Sequence, residues 1–386
     1  MTRAAGDWSS WLDGRIATIR DEGRWRSHRE FDALGPRGTL RHVDGTRYEV
    51  VSFASNDYLG LSHHPATAAA AHEAIERWGT GSGASRLVTG NRPVHEELEQ
   101  ALAAWKGTER AQLFPTGFAT NLGVLTTLGT AGVRIVSDEL NHASIIDGAR
   151  LARAEVAVTP HGDLGALERC VTDAPGPVLV AVDTVFSMDG DALDVAPVAD
   201  ICRRHGALLL LDEAHAVLGP SPSAEDLAGV EVIRVGTLSK ALGSLGGFAA
   251  CSRQVGDLLV NSARSAIFTT GLSPADAAAA LAAVAIVTGP EGDDRRAMLR
   301  RHIDRVRPGH ASPIVPIVLG DERRAVAASD ALLDRGLLVP AIRPPTVAPG
   351  TSRLRVTFSA AHTDDEVTHL LHALDEIGVD HRGAAK

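Results

Sequence analysis

The chain has 386 residues, 44% of them hydrophobic, which is enough for one large domain and a smaller one around a sizeable core. A formal net charge of −10 argues against a general surface for nucleic acids or anionic membranes. No run of about 18 apolar residues predicts a membrane span, and the charged start lacks the apolar stretch of a signal peptide. Three widely spaced cysteines, Cys170, Cys202 and Cys251, fit no metal site and indicate buried thiols in a reducing cytosol. We therefore expect a cytoplasmic protein.

Residues 1–45 predict an N-terminal helix and a connecting segment. A basic run lies here, formed by Arg20, Arg24, Arg26 and Arg29. Its spacing of three to four residues would place much of the run on one helix face. Such a face is either simply exposed to solvent or attracts an anionic ligand.

Residues 46–285 alternate short apolar runs with helical patterns and predict a large domain. The apolar runs are rich in Val, Ile and Leu and mostly continuous, which is typical of strands buried on both faces of a sheet. The runs are VRIVSDE, EVAVTPH, PVLVAVDTVFS, ALLLLDEAH, VIRVGTLS and GFAACS. Helical segments such as VAPVADICRRHG lie between several of them. This repetition predicts an α/β fold in which helices flank a mostly parallel sheet.

Residues 286–386 predict a small α/β domain. A charged helix, GDDRRAMLRRHIDRVR, is followed by a strand–helix–strand–helix pattern. Its segments are SPIVPIVLG, RAVAASDALLDRG, SRLRVTFS and DDEVTHLLHALDEIG. The alanine-rich segment SPADAAAALAAVAIV predicts a helix that joins the two domains, with the boundary near 280–295.

Two neighbouring strands of the large domain end in residues that can carry chemistry. The segment LLLLDEAHA places Asp212, Glu213 and His215 at the carboxyl end of a buried strand, where ligands bind in open α/β sheets. Lys240 follows the next strand in VGTLSKALGS, among small residues that leave room for a bulky group, although a lysine in such a turn needs no ligand. A lysine can form a Schiff base with an aldehyde cofactor, and an aspartate can keep the cofactor's pyridinium nitrogen protonated. The pair therefore points to pyridoxal phosphate.

Other ligand classes fit the sequence poorly. The letters DEAH also occur in helicase-type ATPases, but the phosphate-binding loop that these enzymes require is absent. The segment GTGSGA, residues 79–84, matches a dinucleotide fingerprint by letters, yet it follows a helical pattern instead of a strand. No metal-ligand cluster, HExxH motif or GxSxG motif occurs, so we predict no metal.

Eight motifs between about residues 50 and 362 together resemble the α-oxoamine synthase family of fold-type I pyridoxal phosphate enzymes. They are SNDYLGLSHHP, GSGASRLVTGN, GFATNLGVL, LNHASIIDGARL, VFSMDGDALDVAPV, DEAHAVLG, TLSKALGSLGG and RPPTVAPGTSRLRVTFSAAH. The resemblance implies pyridoxal 5'-phosphate, a homodimer with shared active sites, and decarboxylative condensation of a small amino acid with an acyl thioester. The last motif is most similar to members that join L-alanine to a pimeloyl group on coenzyme A or a carrier protein in biotin biosynthesis. Family members with other acyl donors, an aminotransferase of the same fold and a non-catalytic partner subunit are the alternatives.

The resemblance also implies roles for individual residues. Lys240 would hold the cofactor as a Schiff base and later act as the base at Cα of the substrate. Asp212 would pair with the pyridinium nitrogen, although an aspartate at such a junction also caps helices. His142 would stack on the cofactor ring. The remaining cofactor-binding positions would be His215 and Ser187 near the phenolic oxygen, and Gly117, Phe118 and Thr237 at the phosphate.

Substrate-binding residues are implied mainly in the C-terminal part. Arg343 and Arg355 would bind the amino acid's carboxylate, because planar guanidinium groups suit this geometry, unless they form surface salt bridges. Thr346 would line the acyl side, Asn56 would contact the substrate near the cofactor, and Arg26 would attract the acyl donor.

Two further segments bear on the partner subunit and on the acyl donor. Thr269 and Thr270, in IFTTGLSP, would cross to the partner's active site. Ala216 stands where the family usually has glycine, and segment 219–231 is shorter than usual. Both departures would reshape the acyl tunnel and put the pimeloyl donor in doubt.

Overall fold

The computed structural model describes residues 7–42, 44–218 and 222–381 of the chain. The helices are α1 (Trp8–Asp21), α2 (Pro65–Trp78), α3 (Pro93–Lys106), α4 (Gly117–Leu128), α5 (Ala143–Leu151), α6 (Leu164–Thr172), α7 (Val195–His205), α8 (Arg253–Ser262), α9 (Arg264–Ile267), α10 (Pro274–Val287), α11 (Pro290–Asp304), α12 (Glu322–Leu333) and α13 (Asp364–Glu376). The strands are β1 (Glu30–Leu34), β2 (Arg37–Arg41), β3 (Arg47–Ser52), β4 (Arg110–Phe114), β5 (Arg134–Asp138), β6 (Glu155–Thr159), β7 (Val178–Asp183), β8 (Leu208–Asp212), β9 (Val232–Thr237), β10 (Gly247–Cys251), β11 (Ile314–Gly320), β12 (Leu337–Leu338), β13 (Ala341–Ile342) and β14 (Ser352–Thr357).

A seven-stranded sheet forms the centre of the described part of the chain, in the order β4-β10-β9-β8-β7-β5-β6. The pairs from β9 through β6 are parallel, whereas β10 runs antiparallel to both β9 and β4. Strands β5, β7, β8, β9 and β10 are almost entirely buried, as their continuous apolar composition predicts, whereas the edge strand β6 is largely exposed. The predicted α/β class with a mostly parallel sheet is confirmed, and each of the six predicted strands is present.

Strand β8 and helix α7 show how local sequence produces this layer. Strand β8 is almost entirely leucine, and Leu210 is fully buried, so its truncation to alanine would cost about 2–5 kcal/mol. Helix α7 begins where the Asp194 side chain accepts a hydrogen bond from the Ala196 amide. It ends at Gly206, which adopts a left-handed conformation. The sharp end of α7 returns the chain directly into β8.

Two smaller sheets accompany the central sheet. The first has the order β1-β2-β3-β12, in which β12 pairs parallel with β3. The second has the order β11-β14-β13 and contains the predicted C-terminal strands. One continuous hydrophobic cluster includes Leu98, Ala280 and Leu354, so it extends across the predicted boundary near 285. The division into segments 1–45, 46–285 and 286–386 stays a prediction.

The N-terminal arginines do not share a helix face, so that part of the sequence interpretation is wrong. Helix α1 ends at Asp21, because the Gly23 amide donates to the Arg20 carbonyl and the Arg24 amide donates to the Ile19 carbonyl. These two bonds terminate the helix before Arg26, and the residues from Arg24 to Arg29 are not helical.

Two further expectations concern the cysteines and the membrane. Cys202 and Cys251 are buried free thiols, as predicted, whereas Cys170 is only half-buried. No helix within the described residues combines the length and the hydrophobicity that are needed to cross a membrane.

Candidate active site

The carboxyl ends of the parallel strands bring two aspartates side by side. Asp183 ends β7, Asp212 ends β8, and the two residues are direct partners in the strand register. The carboxylate of Asp212 accepts hydrogen bonds from the Asn121 side chain at 2.6 Å and from the Ala214 amide at 2.9 Å. Asp183 accepts from the His142 amide at 2.7 Å. Both carboxyl groups are therefore fixed in position at the strand ends.

The buried position of Asp183 affects its protonation. Burial, reinforced by the nearby carboxylate of Asp212, raises the pKa of Asp183 well above its ordinary value. Asp183 was not singled out from the sequence. An acidic residue at the end of a second continuous apolar strand was the signal that could have identified it.

Glu213, the residue after Asp212, is held in a buried cluster of ion pairs. Its carboxylate lies 2.7 Å from Nζ of Lys106 and 2.6 Å from Nη2 of Arg234. Burial alone would raise the pKa of Glu213, but the two cations lower it below its ordinary value. Removing one member of such a buried cluster typically costs about 3–5 kcal/mol. The cluster ties α3, β8 and β9 together beside the site.

Lys240 lies in the turn after β9, close to both aspartates. Burial lowers the pKa of its ammonium group from the ordinary value near 10.5, and the carboxylates of Asp212 and Asp183 oppose this shift. Nζ of Lys240 lies 2.8 Å from Nε2 of His215. The turn also contains Gly243, which has a φ of 61° and packs directly on the backbone of loop 61–62. A Cβ there would lie 2.3 Å from the Ser62 nitrogen, so the small residues allow this close approach.

His215 connects Lys240 to a tyrosine that the sequence analysis missed. The hydroxyl of Tyr58 lies 2.6 Å from Nδ1 of His215 and donates to Oδ1 of Asn56 at 2.9 Å. Burial, together with the positive charges of Lys240 and Arg355, lowers the pKa of His215 well below its usual range. The ring is therefore neutral at pH 7. Tyr58 lies within the quoted motif SNDYLGLSHHP, and that was the one signal for it.

His142 precedes helix α5 and points toward the same group of charges. Its Nδ1 accepts a hydrogen bond from the Ser144 amide at 3.2 Å and lies 2.7 Å from the Ser144 hydroxyl. Burial lowers its pKa, an effect that Asp212 opposes and Lys240 reinforces. The ring meets that of Phe118 edge to face, with 6.5 Å between centroids.

The start of α4 forms a cradle whose backbone can bind an anion. Helix α4 begins at Gly117, behind Thr116, whose hydroxyl accepts from the Ala119 amide. A Cβ on Gly247 would lie 2.6 Å from the Gly117 nitrogen, so only glycine leaves this cradle open. Thr237 adjoins Gly117, and its hydroxyl donates to the Gly246 carbonyl at 3.0 Å. Amide groups at a helix start favour phosphate.

Arg355 and Asn56 meet at the opposite side of the Tyr58 hydroxyl. Arg355 is buried and donates through Nε to the Ser187 carbonyl at 2.6 Å. Its Nη2 donates to Oδ1 of Asn56 at 3.3 Å. The structure thus brings Arg355, Asn56 and Ser187 together, and the contact with Ser187 uses its backbone.

Other predicted residues lie apart from this cluster. Nη1 of Arg343 donates to the Gly23 carbonyl at 2.6 Å, so this guanidinium binds the N-terminal segment. Thr346 is exposed, and its amide donates to the Arg343 carbonyl. Arg26 is exposed. Thr270 is also exposed, in the segment after α9.

Ala216 borders a cavity of about 50 Å³, which Thr237, Trp105 and Arg296 also line. Residues 219–221 of the short segment that follows lie outside the described residues. The predicted effect of this region on the acyl tunnel stays untested.

The residues present fit pyridoxal phosphate. The site offers an amine with a lowered pKa, a fixed carboxylate, a histidine ring and a helix start that is open for an anion. These groups lie at or just after the ends of β4, β5, β8 and β9. These are the groups that such a cofactor requires of its protein.

The chain matches the family described as "Aminotransferase class I and II" over residues 48–374. It is 43% identical to 8-amino-7-oxononanoate synthase of Trichlorobacter lovleyi over 385 residues, covering 95% of this chain and 97% of that protein. It is 48% identical to the enzyme of the same name from a Methylobacterium species over 364 residues, covering 90% of this chain and 94% of that protein.

Solved structures show the same architecture. A serine palmitoyltransferase from S. paucimobilis, with bound PLP–myriocin aldimine, superposes with a TM-score of 0.87 at 29% identity, covering 96% of this chain and 99% of that one. An 8-amino-7-oxononanoate synthase from Francisella tularensis has a TM-score of 0.71 at 25% identity, covering 85% of this chain and 97% of that one.

Proposed function

Because the chain belongs to the α-oxoamine synthase family of fold-type I pyridoxal phosphate enzymes, we propose that it joins L-alanine to a pimeloyl thioester. The product is 8-amino-7-oxononanoate, an intermediate of biotin biosynthesis. The observation that carries this proposal is 43–48% identity to enzymes of that name over at least 90% of the chain. Coenzyme A or a carrier protein carries the acyl group.

The proposed reaction defines what the chain must do. A carbon–carbon bond forms between the alanine Cα and the thioester carbonyl, and the thiol leaves. The bond from Cα to the carboxylate then breaks, carbon dioxide is released, and one proton is taken up overall. When bound, pyridoxal phosphate supplies an electron-accepting ring that stabilises negative charge at Cα. The protein has to orient the amino acid, fix the ring and move a proton at Cα.

Lys240 serves as the covalent attachment point and, once released, as the base at Cα. A base must be unprotonated to accept a proton, and burial lowers the pKa of Lys240 toward that state. Positioned bases of this kind contribute about 10²–10⁴-fold in rate.

Asp212 would hold the ring nitrogen of the cofactor and favour its protonated form. Its two hydrogen bonds, from Asn121 and Ala214, keep the carboxylate from rotating away, so its charge stays in one place. His142 would pack against the cofactor ring, and His215 and Ser187 would lie near its phenolic oxygen. The amides of Gly117 and Phe118, with Thr237 beside them, would hold the phosphate.

Arg355 binds the carboxylate of alanine, with Asn56 beside it. The guanidinium is buried, so a carboxylate that pairs with it is little screened by water. Thr346 and Arg26 belong to the acyl side. Arg343, the other arginine predicted for the carboxylate, binds the Gly23 carbonyl of the N-terminal segment. The functional unit is a cytoplasmic homodimer in which Thr269 and Thr270 reach the partner's site.

The test combines the purified, cofactor-loaded protein with a panel of substrates. Alanine, glycine and serine are each paired with pimeloyl-, acetyl- and palmitoyl-coenzyme A and with a pimeloyl carrier protein. Free thiol and carbon dioxide are measured together. We expect equal amounts of both products with alanine and a pimeloyl donor, and at least tenfold less with the other pairs.

Two outcomes would contradict the proposal. Thiol release that is fastest with another amino acid or acyl chain would assign a different condensation to the site. Formation of the cofactor's amine form and a keto acid, without thiol release, would assign aminotransferase activity. Lys240→Ala serves as the control for thioester hydrolysis that does not use the site.

A further inference from the structure

A chain of hydrogen bonds links Lys240 to the buried arginine of the site. Nζ of Lys240 contacts Nε2 of His215, and Nδ1 of His215 contacts the Tyr58 hydroxyl. The hydroxyl contacts Oδ1 of Asn56, which also receives a hydrogen bond from Arg355. Tyr58 is fully buried, so water cannot replace it in this chain.

The number of hydrogens fixes the direction of each bond when Lys240 is charged. An ammonium group can only donate, so Nε2 of His215 accepts. The ring is neutral, so its hydrogen lies on Nδ1 and is donated to the Tyr58 oxygen. Tyr58 then donates its own hydrogen to Asn56, whose carbonyl oxygen can only accept. Each of these hydrogen bonds then joins one donor to one acceptor.

A second arrangement becomes possible when Lys240 is a neutral amine. The amine can accept a hydrogen bond from Nε2, which moves the ring hydrogen away from Nδ1. Tyr58 then donates to Nδ1, and Asn56 keeps its bond from Arg355. The hydroxyl can donate or accept, but only the first arrangement keeps its hydrogen bond to Asn56. Tyr58 and Asn56 together therefore favour the charged lysine. Burial raises the pKa of Tyr58 above its ordinary value near 10, so the hydroxyl keeps its hydrogen.

We propose that Tyr58 is a positioning residue that selects which nitrogen of His215 carries the hydrogen and thereby stabilises the ammonium form of Lys240. This inference deepens the proposed function, because it rests on Lys240 as the group that moves the proton. In this proposal Tyr58 contacts neither Lys240 nor the reacting atoms. It acts on Lys240 through His215.

Charged groups on several strands and before one helix surround this chain of hydrogen bonds. Those that act on Lys240 and His215 are Asp212 at the end of β8, Asp183 at the end of β7, Arg355 on β14 and His142 before α5. Tyr58→Phe removes none of these charges, but Arg355 also interacts with the Tyr58 hydroxyl. The His215→Gln background described below therefore separates an effect that passes through His215 from one that passes through Arg355.

The test measures the pKa of Lys240 in the full-length protein after removal of the cofactor. The sequence contains three lysines, so the rate of modification of Lys240 by fluorodinitrobenzene can be followed by peptide mapping. In Tyr58→Phe, Nδ1 of His215 loses its buried acceptor and the ring hydrogen moves to Nε2, opposite the ammonium. We expect the pKa of Lys240 to fall by about one unit, a roughly tenfold faster modification below that pKa.

Tyr48 provides a matched control, since it is the second of the two tyrosines and lies half-buried in β3. Tyr48→Phe should leave the modification rate unchanged. In a His215→Gln background, Tyr58→Phe should add no further shift, because Tyr58 acts through His215. An equal shift in that background, or an unchanged rate in folded Tyr58→Phe, would overturn the proposal.

Asn56→Ala gives an independent route if Tyr58→Phe does not fold. Without this acceptor, Tyr58 donates to Nδ1, so the pKa of Lys240 should again fall; a rise or no change would contradict the proposal. The readout does not depend on thioester turnover. If the condensation assay fails but the pKa of Lys240 falls as expected, only the proposed function is refuted. If condensation occurs but the pKa of Lys240 does not fall, only the role of Tyr58 is refuted.

Discussion

The strand-end site and the N-terminal segment both contain arginines and aromatic rings, yet they hold them differently. In the site, Arg355 is buried and donates to Ser187 and Asn56, and Tyr58 is fully enclosed. In the N-terminal segment, Trp8 is 72% exposed and Arg26 lies on the surface. Buried groups act at full strength in one geometry, whereas exposed charges are screened by water and salt. Substitutions in the two regions should therefore differ in size and in salt dependence.

Lys240→Ala should have the largest effect, because it removes the residue proposed as both the attachment point and the base. We expect condensation to fall at least about 10³-fold, with little change in thermal stability, since the lysine is only half-buried. Thiol release with alanine and pimeloyl-coenzyme A measures this. Lys240→Arg, which keeps the charge but cannot form a Schiff base, should lose as much. More than a few per cent of residual condensation in either variant would show that Lys240 is not the base.

Asp212→Asn tests which of two adjacent carboxyl groups carries the necessary charge. We expect exchange of the alanine Cα hydrogen to slow by about 10²-fold or more, because the neutral amide cannot hold the ring nitrogen protonated. Asp183→Asn should slow exchange by less than about tenfold, since the raised pKa of Asp183 already favours its neutral form. Exchange can be followed by deuterium incorporation from solvent. Equal slowing by the two substitutions would show that the charge of Asp212 has no special role compared with Asp183.

The buried residue His362 should make the stability of the folded protein depend on pH, whereas an exposed histidine should not. It donates from Nε2 to the Ser52 carbonyl at 3.0 Å and accepts from the Ser359 amide, and burial lowers its pKa from 6.5 to about 4. The unfolded chain binds the proton first, so its contribution to stability is complete above pH 6.5 and is lost as the pH falls toward 4. The loss amounts to about 3 kcal/mol.

Denaturant unfolding between pH 7 and pH 4 tests this expectation. His362→Gln should be less stable at pH 7 and should lose less stability on acidification than the wild type. His28→Gln, at an exposed position of the N-terminal segment, should keep the wild-type slope. An unchanged slope in His362→Gln would contradict the assignment.

Arg26→Ala should have the smallest effect. An exposed arginine that attracts an anionic acyl donor contributes modestly, so we expect an increase of about threefold in KM for the donor and none for alanine. The increase should shrink as salt rises, because screening already weakens the attraction in the wild type. Arg29→Ala is the matched control on the same segment. A loss that is independent of salt, or equal for both substrates, would indicate a packing defect.

The sequence predicted those parts of the fold whose composition reflects burial. Strands β5 to β10 are continuous apolar runs and were identified. Strands β1 to β4, β12 and β13 are short or partly polar and were missed, although β4 is buried. The acid and the lysine at two strand ends were recognisable because each follows an apolar run. The helix face assigned to Arg24 and Arg26 failed, because the hydrogen bonds at Gly23 end α1 first.

Contacts between distant segments account for most of what the sequence did not reveal at the site. Tyr58 meets His215, and Asn121 meets Asp212, only after the chain has folded. Arg343 binds the Gly23 carbonyl instead of joining Arg355, because its position is set by the N-terminal segment. A pattern along one segment cannot specify a partner more than 90 positions away.

The parallel pairing of β12 with β3 has a consequence for how the protein is made. Leu337 and Leu338 leave the ribosome long after Val51 and Ser52, their neighbours in the sheet. Until then β3 presents an open edge, and such edges favour pairing with other chains. Contacts between residues so far apart along the chain also form slowly. A nascent chain that stalls before residue 337 would keep this edge uncovered, and it would be the species most exposed to aggregation and to chaperones.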